Sequence, residues 1–272
     1  MAAKKFGEKQ SFFRNIRNNL KWLDPFTYVE ILLRLFHSQK TKPSFADNAI
    51  DWAVYIVFAA IFAFLAYTIL GLLFGSSAPM IIVYSCSMEP NLFRGDIIGL
   101  QKASPEQIKA PEIDLNVGTL KGANLWDFAE PYPYPIYSDG KINTTTALKF
   151  KDGRILQLSQ EGDIVMYYSN NVKKEIIHRV VAKIKANDGY YFLTKGDSAK
   201  NYWIDEDCFE IKYYNQVYRS ASSCITLNPL SSEEIAGKAF FRIPYLGYAK
   251  LLPFDDLPRL ILGQPNPCSG IA

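Results

Sequence analysis

The sequence predicts a mainly β domain preceded by one N-terminal transmembrane helix. Three features carry that expectation: an uncharged run of 23 residues, a series of short β-branched segments after it, and no sustained helical periodicity or internal repeat in that later part. At 272 residues, 49 % of them hydrophobic and 21 % charged, the chain has apolar matter for one large domain or a smaller one with additions. A net charge of +3 is too small and diffuse for a phosphate-binding surface, so nucleic acid is not an expected partner. Four cysteines without a CxxC spacing and only two histidines argue against a zinc site, and no metal or cofactor is expected.

The uncharged run is Trp52 to Phe74. As a helix it spans roughly 34 Å at about 1.5 Å per residue, enough for a bilayer core of about 30 Å. Trp52 and Tyr55 stand where an interfacial aromatic belt falls. A buried helix of a soluble protein and a cleaved signal peptide are the competing readings; the first seldom stays uncharged for so long, and the second starts nearer the N-terminus. Residues 1–51 carry nine Lys/Arg against five Asp/Glu, and no basic residue lies between Lys42 and Arg94. The positive-inside rule therefore expects residues 1–51 in the cytoplasm and everything after Phe74 outside it. Asn19 to Phe36 reads as an amphipathic helix on the inner leaflet, with an unordered tail as the alternative.

Beyond the span, strands are expected at Met80–Cys86, Asp96–Leu100, Asp163–Tyr168, Glu175–Ile184, Tyr190–Thr194 and Lys238–Ile243. Asn187-Asp188-Gly189 signals a hairpin between two of them, and Lys151-Asp152-Gly153-Arg154 signals another turn. From about 103 to 143 the chain turns rich in Pro, Asp and Glu and reads as an irregular insertion carried on the β domain, 75–252. It includes one glycosylation sequon, Asn143-Thr144-Thr145, with a chance match as the alternative. Residues 253–272 read as a C-terminal tail.

Chemistry is concentrated in Tyr84-Ser85-Cys86-Ser87-Met88-Glu89-Pro90. A serine hydroxyl is inert until a base takes its proton and its position is fixed. His37 precedes the span, so the only histidine on the same side as Ser87 is His178. Strand alternation puts His178 with Ile176, Val180, Ala182 and Ile184 on the more apolar, inward face. A buried imidazole needs a partner for its second nitrogen, and an acid supplies one; backbone groups are the alternative. Asp197 and Asp205 follow the adjacent strand, so either acid is within reach through the hairpin.

Ser87-Met88-Glu89-Pro90 followed by Gly95-Asp96, then Ile177-His178-Arg179-Val180, then Lys195-Gly196-Asp197 with a further aspartate, resemble the motifs of type I signal peptidases. The likeness is to the archaeal and endoplasmic-reticulum branch, which uses histidine where the bacterial branch uses lysine. Gly162-Asp163-Ile164-Val165 and the closing Gly237-Lys238…Pro244-Tyr245-Leu246-Gly247 add to it, and together the motifs run from about Ile50 to Leu252. The resemblance implies a signal-peptidase-like β domain, with Ser87 as nucleophile and His178 as general base. Asp205 is implied as third member with Asp197 as a supporting or competing acid, and Ser85 joins the Ser87 N–H in an oxyanion hole. It also implies an enzyme of the cell membrane or endoplasmic reticulum membrane acting on signal-peptide-bearing pre-proteins beside the secretion translocon. Three departures stand out: a longer Asp197–Asp205 segment, the larger insertion, and Cys86 where the family has glycine. An inactive membrane-tethered binding subunit and a specialised serine protease are the alternatives. Cys208 and Cys224 read either as a disulfide or as free thiols. Arg94-Gly95-Asp96 matches an adhesion tripeptide but reads more simply as a turn.

Overall fold

The computed structural model describes residues 27–28, 31, 45–133, 137–138, 141–142, 144–208, 210–213, 216–219 and 224–268. The expected amphipathic segment 19–36 lies almost wholly outside these residues, and so does Asn143 of the sequon. The chain divides into two compact units, Met1–Ile69 and Leu70–Ala272.

Helix α1 covers Phe45–Phe74, longer at its start than the apolar run alone predicted. Asp47 and Asp51 fall in its first two turns, where acids suit the positive end of a helix. Its stretch Ala49–Phe74, 26 residues, is long and apolar enough to cross a membrane. Side chains such as Ile56, Phe64 and Leu72 are exposed along it, as a lipid-facing surface requires.

Among the described residues fifteen strands follow, making the remainder mainly β. They are β1 (Met80–Ile82), β2 (Ile97–Gln101), β3 (Glu112–Asp114), β4 (Ala129–Tyr132), β5 (Tyr137–Ser138), β6 (Lys141–Ile142), β7 (Ala147–Phe150) and β8 (Ile155–Gln157). After them come β9 (Ile164–Ser169), β10 (Lys174–Ala186), β11 (Gly189–Lys195), β12 (Glu210–Tyr213), β13 (Gln216–Arg219), β14 (Leu230–Ser231) and β15 (Ile235–Ile243). The main sheet runs β1-β2-β15-β9-β10-β11-β14, antiparallel throughout, with β3 added to β10 in parallel. Smaller sheets are β4-β7-β8 and the pairs β5-β6 and β12-β13. Both turn signals form hairpins: Asn187-Asp188 joins β10 to β11, and 151–154 joins β7 to β8.

Two expectations need correction. Regular pairing in the first strand stops at Ile82 rather than Cys86, although Val83 still exchanges hydrogen bonds with Asp96 and Gly95. The alternation along β10 also breaks, because the register shifts between Val180 and Ala182. Such a bulge moves later side chains to the opposite face. Val180 packs with Val165, Tyr167 and Phe192, whereas Ala182 and Ile184 join Leu148 and Phe150.

The 103–143 segment is not merely carried on the domain. It supplies β3 and β4, and Ile113, Leu115, Leu125 and Phe128 are buried in one core cluster with Ile184 and Leu193. The C-terminal residues are likewise not a free tail. Helix α2 (Tyr248–Leu251), a π-helical turn at Leu252–Asp256 and helix α3 (Leu257–Ile261) fold back, and Cys268 is disulfide-bonded to Cys86.

Candidate active site

Ser87 follows the end of β1, where the chain leaves the sheet. Met88, fully buried with Val83, Leu92 and Leu100, pins the turn from below. From above, the Ser198 N–H donates to the Ser87 carbonyl at 2.9 Å. His178 lies in β10 opposite Val165 of β9 and is 3 % exposed, on the inward face that alternation predicted. Its Nε2 stands 2.9 Å from Ser87 Oγ. Its Nδ1 stands 2.5 Å from Asp205 Oδ2, and Asp205 is 2 % exposed.

That geometry selects a tautomer. An ionised Asp205 only accepts, so Nδ1 carries the proton and Nε2 offers its lone pair to the serine hydroxyl. Asp205 is positioned by its own N–H, which donates to the Thr194 carbonyl at 2.9 Å. Its Oδ2 accepts two further hydrogen bonds, from Tyr167 Oη at 3.0 Å and Thr194 Oγ1 at 2.8 Å. Burial, assisted by the charge of Asp205, pushes the Tyr167 phenol well above its ordinary range and keeps it a donor.

Asp197 does not meet the imidazole. It accepts from Arg179 at Nε (2.8 Å) and at its second terminal nitrogen (2.7 Å), and from Asn91 Nδ2 (2.8 Å). The two aspartates that sequence left in competition therefore have separate places: Asp205 against the ring, Asp197 fastening β10 to the turn after Ser87 through Arg179 and Asn91. Ser85 Oγ lies 3.2 Å from Ser87 Oγ, on the same side of the chain.

The loop between the two acids is built around a close approach. A Cβ at Gly196 would lie 1.9 Å from Asn201 Nδ2 and 2.6 Å from the Ser87 carbonyl oxygen, so only glycine fits. Lys195 Nζ donates to the carbonyls of Asn201 (2.5 Å) and Gly196 (3.4 Å), stitching the loop. Burial draws the Lys195 ammonium below its usual range, against the pull of Asp205 and Asp197.

Sequence reading missed Tyr167, Thr194 and Glu206. Thr194 was within reach of it, because the hairpin register pairs Thr194 with Val180, two residues from His178. Glu206 is fully buried and bonds to the Thr194 N–H and hydroxyl; nothing in its local sequence marks it. Burial first, and the Asp205 charge second, push its carboxyl well up and favour the protonated acid.

Cys86, Glu89 and Cys268 bring metal-ligand atoms together, but both sulfurs are spent in a disulfide and offer no thiolate. Cys208 and Cys224 form a second disulfide, closing the loop that holds β12 and β13. Arg94 and Asp96 are buried, which removes the adhesion reading of that tripeptide. Asp96 instead accepts from the N–H groups of Phe93 and Tyr245 and pairs with Arg242 at 2.7 Å. No family model matches the chain, and a search of curated proteins finds no relative.

Proposed function

We propose that this protein is a membrane-anchored serine endopeptidase that removes signal peptides from exported proteins. The observation that carries the reading is the unbroken chain from Ser87 Oγ through His178 to Asp205, at 2.9 and 2.5 Å, buried at its acidic end. In acylation His178 Nε2 takes the Ser87 proton as Oγ attacks the scissile carbonyl, and the imidazolium then protonates the departing amine. Asp205 stabilises that imidazolium without taking its proton. The Ser87 N–H and the Ser85 hydroxyl serve as donors to the developing oxyanion. Water, activated by the same histidine, releases the acyl group from Ser87.

β1 is the terminal strand of the main sheet, so an extended substrate has an edge to join. Along β10, pairing with β11 starts only at Arg179, which leaves Lys174 to His178 without a strand on that side among the described residues. Both free edges lead to Ser87 and His178. The span α1 confines enzyme and membrane-inserted substrate to one surface, raising their effective concentration. In this reading the N-terminus is cytoplasmic, the β domain lies outside the cytoplasm, and processing takes place beside the translocon.

The test is cleavage of a pre-protein by the purified, detergent-solubilised chain. Ser87→Ala and His178→Ala each lower kcat by several orders of magnitude, as removal of either member of such a unit does. Unimpaired processing by either variant would sink the assignment.

A further inference from the structure

Cys86 sits between the two site serines, and the proposed reaction gives it no task. Its surroundings supply one. Between Val83, still paired with Asp96 and Gly95, and Ser87, held by Ser198, no sheet ladder fixes the backbone. The Ser85 and Ser87 hydroxyls face one another, and Ser87 meets the histidine, whereas Cys86 is bonded to Cys268 and the Tyr84 hydroxyl to Asp255. Both Tyr84 and Cys86 are thus gripped by the C-terminal segment.

At residue 86 the grip is covalent, through the Cys86–Cys268 disulfide. At residue 84 it is polar. Arg94 donates to the Tyr84 carbonyl while pairing with Asp255 and Asp256, each at 2.6 Å. The Tyr84 hydroxyl donates to Asp255, and Arg259 reaches both, at 2.8 Å to the hydroxyl and 2.8 Å to Asp255. The Arg94 guanidinium also lies over the Tyr84 ring, 4.7 Å from its centre. Covalent and ionic fastenings thus fall on the two residues that flank Ser85.

We propose that the C-terminal segment 248–268 is a clamp on the nucleophile loop, with Cys268 and Asp255 as positioning residues that set Ser85 and Ser87 against His178. The proposal rests on the protease reading. Its physical basis is that catalysis depends on sub-ångström placement, whereas a loop lacking ladder hydrogen bonds does not hold such placement by itself.

The test compares the full-length wild type with Cys268→Ser and Asp255→Asn, neither of which substitutes a residue of the nucleophile loop, though Cys268→Ser leaves Cys86 as a free thiol. Two readouts are taken: kcat and KM on a pre-protein, and hydrogen–deuterium exchange of the peptide covering residues 83–88. The expected result for Cys268→Ser is a kcat lower by roughly 10- to 100-fold, the scale of a 1 Å misplacement. KM changes little, and residues 83–88 exchange faster while β9 to β11 keep their protection. Asp255→Asn gives the same signature in weaker form. An unchanged kcat in Cys268→Ser overturns the proposal whatever the exchange shows. If the wild type cleaves nothing, the protease reading fails separately. Exchange then decides the clamp: faster exchange at 83–88 upholds it as a fastening of that loop, and unaltered exchange overturns it.

Discussion

At the scale of single residues, the two aspartates separate into an acid that faces the ring and one that fastens the scaffold. Asp205→Asn leaves the packing in place but presents the wrong hydrogen-bonding group to His178 Nδ1, and the expected loss in kcat is about 10⁴-fold. Asp197→Ala leaves Arg179, with 11 % of its side chain exposed, facing no carboxylate. Breaking such a buried pair costs about 3–5 kcal/mol of stability. Denaturant unfolding and pre-protein kinetics on both variants check the ranking, and a reversed order refutes these roles. Glu206 gives a prediction in pH. Its folded-state carboxyl lies above its unfolded value, so between the two the folded protein binds more protons and stability falls as pH rises. Glu206→Gln imitates the protonated acid toward Thr194 and removes that proton linkage. The variant's melting temperature therefore declines less steeply than wild type above about pH 4.5, the usual glutamate range. A wild-type slope unchanged in the variant contradicts a protonated Glu206.

At the scale of elements, what the sequence disclosed followed local periodicity. β10 and β11, their hairpin at Asn187-Asp188 and the inward face of His178 all follow from alternation and turn chemistry over a dozen residues. Local pattern left both acids open, and only the resemblance pointed to Asp205, because the loop from Gly196 to Ile204 bonds to a segment a hundred residues earlier, at the Ser87 carbonyl. The core role of 103–143 was hidden for a related reason: Ile113, Leu120 and Leu125 follow neither a period of 2 nor one of 3.6. The bulge between Val180 and Ala182 reassigned Ala182 and Ile184, and no residue type in that run announces it. The glycine in the acid loop can be tested as part of an element. Gly196→Ala forces the loop away from Ser87, since the added Cβ meets the serine carbonyl and Asn201. The expected outcome is a loss of cleavage larger than the loss of stability, which for overpacking is about 1–3 kcal/mol. Full activity in that variant denies the close approach. The C-terminal ion cluster gives a second prediction. Burial opposes ionisation of Asp255, yet hydrogen bonds from Tyr84, Arg259 and Arg94 bring its carboxyl down to about 2. Its contribution is complete above about pH 4, the unfolded aspartate value, and is lost as pH falls through about 2. Asp255→Asn therefore narrows the gap in melting temperature between neutral and acidic solution, and an unaltered gap contradicts the cluster's part in it.

At the scale of the whole molecule, the chain joins a span-length helix to a β domain whose proposed substrate is itself membrane-inserted. Composition made the helix legible, since 26 residues from Ala49 to Phe74 include only Asp51 as a charge. The orientation rests on the bias of basic residues in 1–51 and on their absence from Pro43 to Phe93. Two consequences follow if the helix spans a bilayer with the β domain outside the cytoplasm. The protein resists alkaline extraction from membranes, and Ile61→Arg, at mid-helix, weakens that retention by about 2.5–3.5 kcal/mol of insertion free energy. Protease added on the cytoplasmic side of sealed vesicles trims residues before the span and leaves the β domain intact; cleavage of the β domain under those conditions inverts the topology. An inverted topology carries a chemical corollary. Disulfides persist in oxidising compartments and are rare in the cytosol, so Cys86–Cys268 and Cys208–Cys224 both favour the same side of the membrane as the basic-residue bias does. Thiol labelling of the membrane-bound protein without reductant, after denaturation, tests both inferences together. The expected outcome is no label on any of the four cysteines, and labelling of Cys86 or Cys268 would place the nucleophile loop on the reducing side.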